Sequence, residues 1–171
     1  MKKYILLAAS FLGFSCSAPH LVLNTQENFD IKRYMGKWYE ISRLPNTFEE
    51  GLENNTAFYE LKENGDVTVI NQGRVIADKS RFKEVKGRAW IPDPKEPSKL
   101  KVSFFWPFAG DYWVLSVDED YTIALVGDPG RKYLWILARE RNPDPKAVSD
   151  LKAYASSLGF AVENMIGSLG D

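Results

Sequence analysis

Cysteine and histidine are nearly absent from this sequence of 171 residues, which contains one of each, Cys16 and His20. A disulfide framework needs at least two cysteines, and a Cys/His zinc site or haem ligation needs residues that the chain after position 20 does not have. A Ser-His-Asp or Cys-His catalytic site lacks its histidine for the same reason. We therefore expect no catalytic residue, no metal site and no cofactor.

An excess of positive charge is also missing. The chain has 22 Lys and Arg against 23 Asp and Glu, a formal net charge of −1, so nothing indicates a nucleic-acid partner. Apolar residues make up 44% and aromatic residues 13%. At this length, that composition predicts one folded domain, and the aromatic content favours a β-protein.

The first residues have the pattern of a bacterial lipoprotein leader. Lys2 and Lys3 precede an apolar run over residues 4–14, which is too short to span a bilayer, and the run ends beside Cys16. This arrangement resembles a lipobox, although Gly13 stands where such motifs usually carry leucine. We expect residues 1–15 to be a signal peptide, Cys16 to be lipidated and residues 16–28 to be a polar tether. The alternative is an ordinary secretory signal with an incidental cysteine. Ser17, which is not Asp, favours attachment to the outer membrane.

From residue 29 onward, short β-rich runs alternate with turn signals. Asn64-Gly65 marks a tight hairpin, and Asp128-Pro129-Gly130 marks the last turn. The predicted strands are 37–44, 56–61, 67–75, 81–91, 100–106, 112–117, 121–127 and 132–139. Eight antiparallel strands with short connections close into an up-and-down barrel, which leaves no exposed edge.

The last three predicted strands are apolar on nearly both faces, so another element must cover them. Asp144-Pro145 is a helix start signal, and Gly159 is a stop signal. Between them, Val148, Leu151, Tyr154, Ala155 and Leu158 fall at helical spacing. We predict an all-β fold with one C-terminal helix packed outside the barrel, followed by a short extra strand over 160–166.

Three short motifs carry a family resemblance. The first is Gly36-Lys37-Trp38-Tyr39-Glu40, the second is Asp120-Tyr121 before the seventh strand, and the third is Arg139 at the end of the eighth. Their order and spacing resemble the lipocalin family, and within it the bacterial outer-membrane lipoprotein lipocalins akin to apolipoprotein D. The resemblance covers about 29–166 within a domain predicted at 29–171. It implies that Gly36, Trp38, Asp120, Tyr121 and Arg139 are structural, with Trp38 closing one end of the barrel and Arg139 stacked on it.

The resemblance also implies a ligand cavity, whose lining follows from strand parity. The predicted ligand-binding residues are Ala57, Tyr59, Val69, Asn71, Val85, Ala89, Val102, Phe104, Tyr112, Val114, Tyr133 and Trp135. Most are apolar, and the small residues Ala57, Gly87 and Ala89 are expected to leave space. The expected ligand is a fatty acid or a lysophospholipid.

Two further segments are candidates for contacts at the mouth. The segment 45–54 is expected to be a long loop in which Phe48 and Leu52 form an apolar lid, with a mobile solvated loop as the alternative. Residues 105–108, Phe-Trp-Pro-Phe, are expected to be an exposed patch for a partner or a membrane, with folding back on the barrel as the alternative.

Three functions follow from these observations. The first is a non-enzymatic lipid carrier in the cell envelope, anchored to the outer membrane. The second is a lipocalin-fold enzyme, for which inward Glu40 is the available acid. The third is an envelope scaffold with a filled barrel. The sequence does not indicate an oligomeric state.

Overall fold

The computed structural model describes residues 23–170, so the predicted leader, Cys16 and His20 lie outside the described residues. The strands are β1 Gly36–Arg43, β2 Leu52–Leu61, β3 Val67–Val75, β4 Phe82–Trp90, β5 Lys99–Phe105, β6 Phe108–Val117, β7 Ile123–Gly127, β8 Leu134–Ala138 and β9 Ile166–Gly167. The α-helices are α1 Ile31–Tyr34 and α2 Pro145–Ser157, and a short 3-10 helix spans Val162–Asn164.

The first eight strands form a closed antiparallel barrel, as predicted. Each strand pairs with the next one in sequence, and β1 closes the ring by pairing with both β2 and β8. Trp38 lies opposite Ala57 on one side, and Tyr39 lies opposite Ala138 on the other. Because all neighbours are antiparallel, the β1–β2, β3–β4, β5–β6 and β7–β8 loops lie at one end of the barrel. We call this end the mouth and the opposite end the closed end.

Several predicted element boundaries are wrong. The β1–β2 loop is only residues 44–51, because β2 begins at Leu52, opposite Val75, and Leu52 is a strand residue. The turn predicted at 107–110 is shorter, since Phe108 already pairs with Phe105. The extra strand predicted over 160–166 is the 3-10 helix followed by the two-residue β9, which pairs with Ser42 and Arg43.

The helix α2 covers the outer face of the late strands, as predicted. Asp144 accepts a hydrogen bond from the Lys146 amide at its start, and Gly159 beyond its end has φ +87°, a conformation that favours glycine. The outer core joins β6, β7 and β8 to Ala155, Leu158 and Phe160. Tyr154 is an exception to the predicted apolar face, since it is partly exposed, whereas its neighbour Ala155 is buried.

The chain before Phe29 is also packed where it is described. The Gln26 amide donates to the Val114 carbonyl, and its side chain accepts from the Val117 amide. Leu23 is buried in the outer core. Residues 23–28, the last part of the predicted tether, therefore lie against the barrel wall. Among the described residues, no helix has the length and apolar character needed to cross a membrane.

Candidate functional site: the barrel interior and its mouth

The closed end is built around Trp38, which is fully buried. Its indole donates to the Tyr34 carbonyl at 2.8 Å, and the guanidinium of Arg139 lies 3.9 Å from the ring centroid. Arg139 also donates to the main-chain oxygens of Arg33, Met35 and Lys37. The predicted stacking of Arg139 on Trp38 is confirmed, and the stacking contact and the three hydrogen bonds hold Arg139 across this end of the barrel.

The turn of the second motif is organised by Asp118, which was not among the predicted site residues. Asp118 accepts hydrogen bonds from the main-chain amides of Thr122 and Ile123, whereas Asp120 is exposed. Tyr121 is buried at φ +58°, and its hydroxyl accepts from the Asp30 amide at 2.7 Å. Tyr121 is thus packed into the closed end, and the carboxylate that accepts the hydrogen bonds of the turn is Asp118, two residues before Asp120.

The predicted ligand-binding residues lie on the inward face of the barrel. Ala57, Tyr59, Val69, Ala89 and Val114 are buried in the inner core, and Val102, Phe104, Tyr112 and Trp135 are partly buried against it. Asn71 and Val85 are opposite each other on β3 and β4, in register with Ala57, and both are half-buried. Tyr133 is half-buried immediately before β8, and its ring stacks on that of Trp135 with centroids 5.9 Å apart.

Gly87 does not leave the space that was expected of it. A methyl group added there would come within 2.6 Å of the Phe104 ring, so the ring already fills that volume. Farther toward the mouth, residues 82–87 of β4 have no partner on β5. An open cleft of about 360 Å³ lies beside this divergence, lined by Gly87, Arg88, Trp90, Ser103, Phe104 and Trp106.

Three tyrosine hydroxyls meet inside the barrel. The Tyr112 hydroxyl lies 2.8 Å from that of Tyr34 and 2.9 Å from that of Tyr59. Burial raises the pKa of all three, so they remain protonated at neutral pH. Three hydroxyl protons serve two hydrogen bonds, which leaves one proton available to an acceptor in the cavity. Tyr59 and Tyr112 were predicted to face inward. Tyr34 was missed because it lies in α1, outside any strand pattern.

A buried charged cluster lies between this tyrosine group and the mouth. Arg43 donates to Glu40 at 2.9 Å and to the Ser168 hydroxyl at 3.0 Å, and its Nε lies 3.3 Å from the carboxylate of Glu49. Asn55 also donates to Glu40. Burial, followed by the nearby negative charge of Glu49, raises the pKa of Glu40 to about 8.

Strand parity alone does not predict that the side chain of Arg43 faces inward. Trp38 and Glu40 face inward at even positions, but the pairing of β1 with β8 shifts between Glu40 and Ser42. This bulge turns the odd-numbered Arg43 inward, opposite Trp135. The pairing of Arg43 with Trp135, which packs against the inner core, places the cluster on the inner side of the wall. Burial, together with the nearby charges of Glu49 and Glu40, raises the pKa of Tyr59. Among the described residues, no group of His, Cys, Asp and Glu could hold a metal.

The mouth carries exposed aromatic side chains. Phe48, on the β1–β2 loop, is 60% exposed, although its ring contacts those of Tyr133 and Trp135. Phe105, Trp106 and Phe108, at the tip of the β5–β6 hairpin, are 74–80% exposed. The hairpin is therefore the exposed patch that was predicted.

Comparison with known proteins agrees with this architecture. The model of the lipocalin-like domain matches residues 29–168. The chain is 41% identical to outer membrane lipoprotein Blc of Escherichia coli, over 92% of this chain and 90% of that protein. It is 40% identical to apolipoprotein D of Bos taurus, over 82% of this chain and 76% of that protein.

Among solved structures, insecticyanin from Manduca sexta has the same fold. Its TM-score is 0.70 at 20% identity, with 88% of this chain and 85% of that chain covered. The motifs, the closed eight-stranded barrel with its outer helix, and the two relatives at about 40% identity lead to one conclusion: the chain belongs to the lipocalin family.

Proposed function

We propose that the protein binds a single-chain lipid, a fatty acid or a lysophospholipid, in its barrel and carries or stores it in the bacterial cell envelope. One observation carries this proposal. Inward side chains such as Val69, Ala89 and Val114 are buried, whereas Asn71 and Val85 keep accessible surface. Along β3 and β4 the interior is thus packed toward the closed end and less filled toward the mouth, where these half-buried residues lie, and an apolar chain fits such a space.

The composition of the interior suits an acyl chain with one polar end. Burying about ten methylenes contributes roughly 8 kcal/mol at about 0.8 kcal/mol each, and association costs reduce this to an affinity near the micromolar range. Apart from the charged cluster of Arg43, Glu40 and Glu49 nearer the mouth, the polar groups that face the space are few: the free tyrosine proton and the amide of Asn71, whose Oδ1 is buried without a hydrogen bond. These groups suit a head-group oxygen or hydroxyl better than a wholly apolar ligand.

Matched substitutions on one strand test this binding mode. Val85→Trp adds bulk at a half-buried inward position, whereas Lys86→Trp adds the same side chain on the exposed outer face. We expect the wild type and Lys86→Trp to bind palmitate with dissociation constants near 1 μM, and Val85→Trp to bind at least about tenfold more weakly. Binding is measured by displacement of N-phenyl-1-naphthylamine, and circular dichroism checks the fold.

The outcomes separate a carrier from a scaffold. If no C16–C18 lipid binds to the wild type at about 10 μM, the carrier proposal is wrong and a filled envelope scaffold replaces it. If both variants bind as the wild type does, the lipid binds outside the barrel. A lipid that the wild type converts to a product would identify an enzyme.

We also propose that Cys16 anchors the protein in the outer membrane. The apolar leader that ends at this cysteine supports the anchor, and relatives at 41% and 33% identity are named outer membrane lipoproteins. Replacing Cys16 by Ser should move the protein from the membrane fraction to the soluble fraction of the native host. Equal partition of both forms would contradict acylation. In the anchored protein, the exposed aromatic hairpin at the mouth suits contact with a lipid surface.

A further inference from the structure

Arg43 is an unusual group to find inside a lipid-binding barrel. Its side chain is 5% exposed, yet it faces the cavity opposite Trp135. Two of its nitrogens have hydrogen-bond partners: Nη1 donates to Glu40 and Ser168, and Nη2 donates to the main-chain oxygen of Glu49 on the adjoining loop. A buried guanidinium held at such a place is a strong site for a planar anion.

The remaining nitrogen is incompletely satisfied. Nε lies 3.3 Å from the carboxylate of Glu49, but this contact does not have the geometry of a hydrogen bond, and Nε is buried without another partner. A buried donor without a hydrogen bond costs free energy, so this is a place where a better-directed acceptor would be favoured. The described structure therefore contains a charged site that Glu49 occupies imperfectly.

Glu49 is the member of the cluster that is able to leave. It belongs to the short loop 44–51, whereas Glu40, Arg43 and Ser168 are fixed by strand pairing or burial. Its carboxylate accepts from the Trp135 indole at 3.2 Å and from the Asn46 amide. Leu44 at the start of the loop is buried in the outer core, but Phe48 beside Glu49 is largely exposed, so little buried apolar surface holds this later part of the loop in place.

The carboxyl groups of Glu40 and Glu49 both lie against the single guanidinium. A ligand anion cannot enter beside the Glu49 carboxylate without repulsion from it, but it can enter if Glu49 withdraws, because the local charge is then unchanged. An incoming carboxylate or phosphate would meet the indole of Trp135, which now donates to Glu49, and Arg43 Nε, which lies beside Glu49 without a hydrogen bond.

We infer that Arg43 and Trp135 form the head-group site for an anionic lipid, and that the Glu49 carboxylate occupies this site as a tethered stand-in until the ligand displaces it. The inference rests on the proposed function and adds the class of ligand: a single-chain lipid ending in a carboxylate or a phosphate monoester. The two head groups share the chemistry that a guanidinium recognises.

Three ligands of equal chain length test the site: palmitate, hexadecyl phosphate and hexadecanol. Glu49→Gln removes the competing charge with little change of shape, and Glu50→Gln is the matched control, since Glu50 is the adjacent, exposed residue of the same loop. We expect Glu49→Gln to tighten the binding of one or both anionic lipids by about tenfold, which corresponds to about 1.4 kcal/mol. Hexadecanol should change less than twofold, and Glu50→Gln should leave all three affinities unchanged.

The pattern across ligands separates the possible outcomes. Tightening of palmitate alone identifies a carboxylate site, and tightening of hexadecyl phosphate alone identifies a phosphate site. If hexadecanol gains as much as the anions, the loop is only a steric lid and the head-group site is wrong. The head-group site is also wrong if Glu49→Gln binds both anionic lipids as the wild type does, or more weakly. If the head-group site is wrong but hexadecanol still binds to the wild type, the proposed function survives. If no ligand binds to any form, the proposed function itself fails.

Discussion

The polar groups at the two ends of the barrel differ in how completely their hydrogen bonds are satisfied. At the closed end, Arg139 stacks on Trp38 and donates to main-chain oxygens around it. Toward the mouth, Arg43 is shared between two carboxylates and retains a buried nitrogen without a hydrogen bond. Both arginines are held by their surroundings, but only the first is fully satisfied. The proposed displacement of Glu49 by a ligand requires such an unsatisfied group at the mouth, whereas the satisfied groups of the closed end stabilise the fold.

In the described part of the chain, the buried polar atoms that lack a hydrogen bond are likewise absent from the cluster around Trp38 at the closed end. Among the described residues, the buried side-chain atoms without a hydrogen bond are Ser42 Oγ, Arg43 Nε, Asn55 Oδ1 and Asn71 Oδ1, all on β1, β2 and β3. None belongs to the group around Trp38. Residues that leave hydrogen-bonding capacity unused at the cost of stability are expected where a ligand binds.

The largest effect is expected at the closed end. Trp38→Ala removes a fully buried indole and its contacts with Tyr34, and should lower the free energy of unfolding by about 3–5 kcal/mol. Urea unfolding followed by circular dichroism measures this change. A loss below about 1 kcal/mol would mean that Trp38 does not hold the closed end together.

Substitution of Arg139 should lower the free energy of unfolding by a smaller amount, and this loss should be coupled to the loss caused by Trp38→Ala. Arg139→Ala should cost less than Trp38→Ala, and a double-mutant cycle should give a coupling free energy of about 0.5–2 kcal/mol for the stacked pair. Additive losses in the double mutant would show that the two residues stabilise the barrel independently.

Toward the mouth, the expected effect is a pH dependence. The folded state holds the Glu40 proton with a pKa of about 8, raised from an ordinary value of 4.5, by burial and by Glu49. Because the folded state binds this proton more tightly than the unfolded state does, stability is greatest below about pH 4.5 for this group. It falls as the pH rises toward 8.

Glu40→Gln should therefore flatten the decline in melting temperature between about pH 5.5 and pH 8. The groups that face Glu40 are Arg43, Glu49, Asn55 and Ser168, all retained in this variant. Glu140→Gln, at an exposed site, is the control and should keep the wild-type slope. An unchanged slope in Glu40→Gln would show that another group controls stability in this range.

The difference between the two ends also explains which parts of the structure could be predicted from the sequence. Asn64-Gly65, the alternating strands and the Trp38 and Arg139 motifs depend on local rules, so the barrel and its closed end could be predicted. Arg43 depends on a bulge in the pairing of β1 with β8, which no local pattern reveals. Phe104 fills the space above Gly87 from a different strand, and this too is a tertiary effect.

The indole N–H resonances of the five tryptophans provide the most direct test of the central claim, that the ligand binds beneath the mouth while the closed end stays fixed. Trp135 donates to Glu49 at the mouth, Trp38 donates to the Tyr34 carbonyl at the closed end, and Trp106 is exposed on the hairpin. During a palmitate titration in a two-dimensional ¹H–¹⁵N spectrum, the Trp135 resonance should shift most and that of Trp38 little. Shifts confined to Trp106, or no shift at Trp135 at saturation, would contradict the account.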